Sequence, residues 1–384
     1  GLDSAQQTIA SDTARKEAVR SSWMDRTDVV VGVGMKDSKE THSQHHYVGE
    51  SSMRHDVLNS VTSKSLKSTE INKLYIETLQ PITHYDENAK SVVFVQGRIG
   101  RSGEKISSRA LNNYWVPARP AGTFITHDKQ TDKKESLGMN ANIGIGYRRL
   151  SKGEHAYVGV NAFYDHVFKG GYKRVSGGVE YVAGLNEFHA NLYRNLGTDD
   201  RKYIGLRGRS NVLGDPAGLY PYGLDSNQGL FNYGVVSYEN HWMLSEKVAA
   251  SGFDVGYSRT FKNARWARVY ADYYNWRGRE AVRVGYHKLK KRDAIKGFKV
   301  GAEFHITPHL TLDAGYQTAS HHLSGPYATL KYTIGTSKFA WRGGKHSESV
   351  ITTARSKMLD KIHRSDLVVH DIVVEDYDHG VVDV

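Results

Sequence analysis

Valine, tyrosine and alanine recur at every second position along YVGVNAFYDHVFKGGYKRVSGGVEYV, residues 157–182. The positions between them hold Gly159, Asn161, Arg174, Ser176, Gly178 and Glu180. Period-two alternation specifies extended strands, because successive side chains leave a strand on opposite faces. The pattern runs through the chain, and its second register is always small, polar or charged. Met139, Ala141, Ile143, Ile145 and Tyr147 alternate with Asn140, Asn142, Gly144, Gly146 and Arg148. Phe298, Val300, Ala302, Phe304 and Ile306 alternate with Lys299, Gly301, Glu303 and His305. A soluble half-buried strand turns its apolar side to a core. A transmembrane barrel strand turns it to lipid and keeps a hydrated lumen on the other side.

Candidate strands fall near residues 28–36, 73–82, 91–101, 139–149, 155–167, 172–182, 187–195, 252–261, 265–276, 297–306, 310–318 and 327–335. They number about twelve, an even count within the range of outer-membrane barrels. Their connections alternate in length. Residues 151–154, 183–186, 262–264 and 307–309 make tight turns and 84–90 a slightly longer one, whereas 102–137, 196–251 and 277–296 are long and polar. That parity predicts an all-β fold, a transmembrane antiparallel β-barrel with its short turns in the periplasm and its long loops extracellular. A soluble sandwich gives no reason for loop length to obey parity.

Composition agrees. Hydrophobic residues make up 39% of the chain and the mean hydropathy is −0.55, which excludes a helical membrane protein. The longest nearly apolar run, residues 29–35, is far short of the roughly 20 residues a membrane-crossing helix needs. Tyrosine (24) and glycine (38) abound, and cysteine is absent, which suits a chain that crosses an oxidising compartment unfolded. The net charge of +11 is spread through turns and loops, so no nucleic acid is expected as a partner. Gly1 leads directly into a polar segment without a secretory signal pattern. Residues 11–24 read as a short helix, and Val350, Ala354, Met358 and Ile362, with Ile351 and Leu359, as an amphipathic helix after the last strand. An extended stretch, DLVVHDIVVED, follows.

The motifs ETLQPI, VVFVQGRIG, NIGIGYRRL, GVNAFYDHVF, RVSGGVEYV, GFDVGYSRT, RVYADYYNW and HLTLDAGYQ, in this order, resemble the inverse autotransporters, the β-domains of intimin- and invasin-type adhesins. The resemblance implies residues 1–27 as a periplasmic segment, 28–336 as the barrel and 337–384 as a linker helix and pore-threading segment. It implies that residues 349–363 sit at the periplasmic mouth and 367–375 run through the lumen, with Met358, Ile362, Leu367, Val369 and Ile372 as threading residues. The implied task is export of a C-terminal passenger through the lumen to the surface of the bacterial outer membrane. Implied partners are outer-membrane lipid and lipopolysaccharide, the barrel assembly machinery and periplasmic chaperones, a passenger domain and a host receptor. The loops at 102–137 and 196–251 exceed the compact pattern of that family. A passenger-less barrel acting as a pore or surface structure through its long loops stays open as an alternative, with an outer-membrane hydrolase and a soluble β-sandwich behind it.

The inward register nominates a charge-balanced lumen lining of Arg148, Asn161, Asp165, Arg174, Glu180, Arg268, Asp272, Lys299, Glu303 and Asp313, in which pairing is expected because an unpaired charge in such a wall is costly. Tyr147, Tyr164, Tyr181, Trp266, Trp276 and Tyr316, with Tyr172 and Tyr327, sit near strand ends and are expected to form interfacial aromatic girdles. His42, His45 and His46 have spacing that could collect a metal but no companion at a fixed distance, so no metal or other cofactor is expected. The glycines of QGRIGRSGE lie at a strand end rather than before a helix. No GxSxG or acid–base spacing commits to chemistry, so no catalytic residue is nominated.

Overall fold

The computed structural model describes residues 22–48, 55–118, 123–197, 200–204, 209–213, 235–284, 287–320, 324–336 and 354–383. In chain order the strands are β1 (Thr27–Val48), β2 (His55–Pro81), β3 (Ser91–Arg101), β4 (Glu104–Ala118), β5 (Thr123–Ser136), β6 (Met139–Leu150), β7 (Ala156–Val167), β8 (Lys173–Ala183), β9 (Asn186–Asn195) and β10 (Asp200–Ile204). They continue with β11 (Arg209–Leu213), β12 (Val235–Ala249), β13 (Gly252–Thr260), β14 (Ala267–Trp276), β15 (Val282–Val284), β16 (His287–Leu289), β17 (Ile295–His305), β18 (Leu310–Gln317), β19 (Gly325–Thr333) and β20 (Val368–Asp383).

Twelve of these close a ring. β1, β2, β3, β6, β7, β8, β9, β13, β14, β17, β18 and β19 each pair antiparallel with the next. The ring shuts where β19 returns to β1, from Asp28↔Thr333 to Val33↔Ala328. Closure removes the sheet edge and satisfies the backbone within the wall, which is what a lipid environment demands. The two registers of the alternation separate cleanly. Val31, Val33, Ile76, Ile99, Ile143, Ile145, Val158, Val160, Val179, Leu192, Val255, Val300 and Leu330 are exposed on the outer face, while Gln96, Arg148, Asp165, Arg174, Glu180 and Asp254 are buried within. No soluble monomer leaves so continuous an apolar belt in water.

Past the ring, on the side of the long loops, a second sheet spans the barrel mouth. β1 and β2 continue outward together, from Met35↔Thr69 to Val48↔His55. β5 lies along the outer half of β1, and β4 lies along β5. β20 then pairs parallel with β4, from Val368↔Glu104 to Asp376↔Asn112, and antiparallel with β12, from Val235↔Asp383 to Ala249↔Val369. β10 and β11 add to β12. Because β12 leads directly into β13, this sheet joins the β1–β2 wall to the β9–β13 wall, half the ring away.

Two expectations change, for the long loops and for the helix after the last strand. The stretches 102–137, 196–251 and 277–296, read as long loops, contain strands, and β1 and β2 run on between the first two expected strands. Segments such as KDSKETHSQHH and SVTSKSLKST carry almost no apolar residue on either face, so their pairing leaves no hydrophobic period to read. The histidines His42, His45 and His46 therefore lie on β1, where His42 Nε2 contacts Glu40 at 2.9 Å, and among the described residues no acid or histidine cluster could hold a metal. The helix expected at 11–24 falls mostly outside the described residues, which show a 3-10 turn at Trp23–Arg26 capped by the Ser22 hydroxyl. After the last barrel strand, a 3-10 turn at Ala354–Lys357 replaces the amphipathic helix over its described part. The backbone there is engaged elsewhere. Carbonyls of Arg355, Lys357, Met358 and Asp360 accept from Tyr85, Tyr157 and Arg148, and the Ile362 amide donates to Gln96 Oε1 rather than to Met358.

Two inward glycines on β6 make room for the rings that face this segment. A Cβ at Gly144 would stand 2.3 Å from the Phe163 ring, and one at Gly146 would stand 2.3 Å from the Phe94 ring. Gly146→Val is expected to destabilise the barrel by about 1–3 kcal/mol through overpacking. The reading is a lower temperature for loss of the compact, heat-modifiable gel species, and an unchanged temperature would show that the ring has somewhere to go.

Candidate functional site

The lumen holds the chain's own C-terminal segment, gripped at three levels. At the short-turn end, Ala354, Met358, Leu359 and Ile362 pack with Leu79, Tyr85, Val92, Phe94, Leu150, Tyr157, Phe163 and Val182 into an apolar stopper. Arg355 is buried there with Glu154, its Nη2 2.7 Å from Oε1 and its Nε 3.1 Å from Oε2, and it donates to the Asp86 carbonyl at 2.9 Å. Glu154 sits in the β6–β7 turn at a φ of 60°. The left-handed backbone turns its carboxylate back over the mouth. Lys90 approaches the same carboxylate at 2.9 Å.

At mid-height the contacts become charge-assisted hydrogen bonds. Arg148 pairs with Glu180 and also donates to the carbonyls of Met358 at 3.0 Å and Asp360 at 2.7 Å. Lys361 reaches Asp28 at 2.7 Å. His363 stacks on His189 with ring centroids 5.6 Å apart, and its carbonyl accepts from Asn191. Arg364 grips both oxygens of Asp165 at 2.8 Å and lies over the Phe163 ring, while Arg174 holds the same carboxylate at 3.1 Å. Ser365 donates from its hydroxyl to Asp254 at 2.6 Å. Asp366 accepts from Arg98 at 2.6 Å and stands 3.3 Å from Lys73. Forked Arg–carboxylate geometry of this kind fixes position as well as charge.

At the long-loop end the segment leaves the lumen as a strand. The Ala250 amide donates to the Val368 carbonyl at 2.7 Å and the Glu104 amide to the Leu367 carbonyl at 3.0 Å. Leu367 and Val369 pack with Leu137, Val167, Tyr172 and Ala249, and Val368 packs with Tyr193, Tyr274, Trp276 and Ile295. The luminal stretch is therefore residues 358–366. Val369 and Ile372 lie beyond it, within β20, so the expected run of 367–375 through the lumen is displaced outward by most of its length.

The ten residues nominated as lumen lining divide by wall. Arg148, Asp165 and Arg174 contact the segment directly, and Glu180 acts through Arg148. Asn161 lies inward next to Gly178 on β8. On the opposite wall, Arg268 pairs with Glu187 and Glu303, and also meets His363 Nε2 at 3.2 Å. Asp272 meets His189 at 3.3 Å, and Lys299 lies over the Tyr327 ring. Asp313 accepts from Tyr270 at 2.6 Å. A polar cavity of about 310 Å³ separates much of that wall from the segment. Sequence reasoning missed Glu77, Gln96, Arg98 and Asp254 on the wall, although their parity in VVFVQGRIG and GFDVGYSRT places the last three inward. It also missed Arg355, and Lys361, Arg364 and Asp366, the charged residues of KIHRSDL.

The family model for the inverse autotransporter β-domain matches residues 124–366. The chain belongs to that family. No curated protein matches it. Among solved structures, one chain from a study of the in-meso crystallization of membrane proteins is 12% identical, covers 89% of this chain and 100% of its own, and has a TM-score of 0.45. The translocator domain of autotransporter NalP from Neisseria meningitidis is 10% identical over 78% of this chain and 88% of its own, with a TM-score of 0.22. The transport unit of autotransporter AIDA-I from Escherichia coli is 10% identical over the same shares, 78% and 88%, with a TM-score of 0.23.

Membership places this inverse autotransporter barrel in the bacterial outer membrane, and its outer face fits. Tyr147, Tyr181 and Tyr316 are exposed on that face, Tyr164 is half-buried on it, and Trp266 packs on outward Phe304. Trp276 corrects the girdle expectation: it shares parity with inward Tyr274 and is 2% exposed. Tyr172 is likewise buried, and Tyr327 turns inward to Tyr270.

Two outcomes follow from the grip. Asp165→Asn leaves buried Arg174 and Arg364 without their carboxylate, a loss of about 3–5 kcal/mol. It is expected to raise single-channel conductance in planar bilayers and to expose residues 364–366 to protease, whereas wild-type conductance would show that the segment stays seated without this pair. His370, on β20 beyond the ring, is held down to about 3 from 6.5 by burial, helped by Arg292 and Arg279. Docked β20 therefore refuses a proton that free β20 accepts. Docking weakens as pH falls from about 6.5 toward about 3, by at most about 1.4 kcal/mol per pH unit. Proteolytic release of β20 should rise between pH 7 and pH 5 and lose that pH dependence in His370→Leu.

Proposed function

We propose that this barrel is the translocation and anchoring domain of an intimin/invasin-like adhesin, with its N-terminus and short turns in the periplasm and its long loops outside. The observation that carries the reading is the course of residues 354–383: stopper at one mouth, charged stretch in the lumen, strand in a sheet beyond the other mouth. A chain in transit would leave this arrangement as its resting state, with a passenger attached beyond the exported strand. The assembly machinery and periplasmic chaperones deliver and insert the barrel, and the passenger meets a host receptor. The chemistry of the path supports transit, since the luminal charges hold backbone carbonyls and one another along its length.

The residues do three separable jobs in this reading. The stopper seals the periplasmic mouth against leakage. The luminal ion pairs can exchange one charged partner for another as a hydrated chain moves past, because the wall offers Asp28, Asp165, Glu187 and Asp254 beside Lys73, Arg98, Arg148, Arg174 and Arg268. The strand acceptors β4 and β12 then gain two ladders of hydrogen bonds on the outside, a free-energy drop that acts only after arrival. No nucleotide is required.

The external sheet favours a second reading, in which the barrel itself is a surface structure working through its long loops. Protease treatment of intact cells bearing a tag after Val384 separates the two. Export predicts that the tag is cut from outside while the barrel remains in the outer-membrane fraction. A tag protected until the cells are opened would end the threading model and leave the loop reading.

A further inference from the structure

One charged feature lies on the outer face, away from the lumen. At the long-loop ends of β8, β9, β14 and β17, the outward positions hold Lys173, Arg194, Arg277 and Lys296, all exposed. Lys173, Arg194 and Lys296 each stand one outward step above an apolar residue, Val175, Leu192 and Phe298, and Arg277 stands two steps above Tyr273, with Asn275 between. The strand registers set them side by side. Val175 stands opposite Arg194, and Lys296 stands opposite Asn275. Between β9 and β14, Ser251 accepts from the Arg277 amide with its carbonyl and from the Asn195 amide with its hydroxyl. The four cations thus form an arc over five neighbouring strands, about 20 Å long at the usual strand spacing.

Among the described residues, none of the four forms an ion pair; Glu246 pairs with Arg279 and Arg292, and Asp293 with Lys291 at 3.6 Å. The arc is also one-sided. On other strands of the same rim, the corresponding outward positions of β1, β6, β18 and β19 are Met35, Met139, Thr318 and Pro326. Arg101 on β3 stands apart from it. Cations that merely anchor a protein at an interface have no reason to gather on one third of the circumference. Unpaired cations just above an apolar belt lie where lipid phosphates lie, with apolar stems along the belt and charged heads in the headgroup layer.

We propose that this arc is a docking site for the phosphate groups of an anionic glycolipid of the outer leaflet, of the lipopolysaccharide class. The proposal rests on the orientation given under Proposed function, which puts this rim outside. Multiple phosphates on one headgroup match several cations at a fixed spacing, whereas a singly charged phospholipid engages them one at a time.

The test uses the full chain refolded in neutral detergent, with native mass spectrometry to count bound lipid and heat-modifiable mobility to report folding. Wild type is expected to retain lipopolysaccharide and to prefer it over the dephosphorylated form. The variant combining Lys173→Gln, Arg194→Gln, Arg277→Gln and Lys296→Gln is expected to fold and to bind about tenfold or more weakly. Arg149→Gln with Arg259→Gln, at the opposite rim, should bind as wild type. Equal retention of the dephosphorylated lipid, equal retention of phosphatidylglycerol, or undiminished binding by the quadruple variant would overturn the assignment. A tag after Val384 that stays protected from external protease on intact cells would instead strike the orientation on which it rests.

Discussion

A carboxylate shared by two guanidiniums, one from the wall and one from the threaded segment, is the contact on which the interior depends. Asp165 is nearly fully buried and lies between Arg174 of β8 and Arg364. Separately each of these charges would be expensive inside the barrel, and together they satisfy one another. The same logic repeats along the lumen. Asp366 completes Arg98 and Lys73, Asp28 accepts Lys361, and the carbonyls of Met358 and Asp360 complete the fork of Arg148 that Glu180 leaves open. The wall is thus built with a surplus of donors and acceptors that only a charged, extended chain can use. An apolar plug would leave them unsatisfied, and water would satisfy them without fixing anything in place.

The segment departs from helix for the same reason. A helix at residues 354–362 would turn its carbonyls to its own amides and offer the wall only side chains. The 3-10 turn and the irregular stretch after it present carbonyls outward to Arg148, Tyr85 and Tyr157, and bring the Ile362 amide to Gln96. The apolar residues spaced four apart, Ala354, Met358 and Ile362, are nevertheless all buried together, because the mouth gathers them.

This contrast marks what could be read from the residues. The barrel was legible because burial on one face and lipid on the other impose a strict period of two, visible from Tyr157 to Val182 without any other information. The parity of loop lengths gave the two ends. The external sheet was not legible: β1 beyond Met35 and β2 before Ile71 are polar on both faces and are held by backbone pairing, which has no sequence period. Trp276 was misplaced because proximity to a strand end was weighed above parity, which had already assigned Tyr274 and Trp276 to the inside. Lumen charges were found on the wall but not on the segment, since a stretch such as KIHRSDL has no period until it is set against its partners.

The sheet across the long-loop mouth has a mechanical consequence. β20 leads away from the lumen, flanked by β12 over nearly all of its length and by β4 from Val368 to Asp376. Hydrogen bonds in a ladder run across the strands. Tension along β20 therefore loads them in parallel as shear, all at once, instead of peeling them apart in succession. Because the sheet is rooted in opposite walls of the ring, through β1–β2 and β12–β13, that load passes into the wall at two places and tends to brace the mouth rather than pry it open. Pulled from its far end, β20 resists far better than the same number of bonds would in a hairpin hanging from one edge.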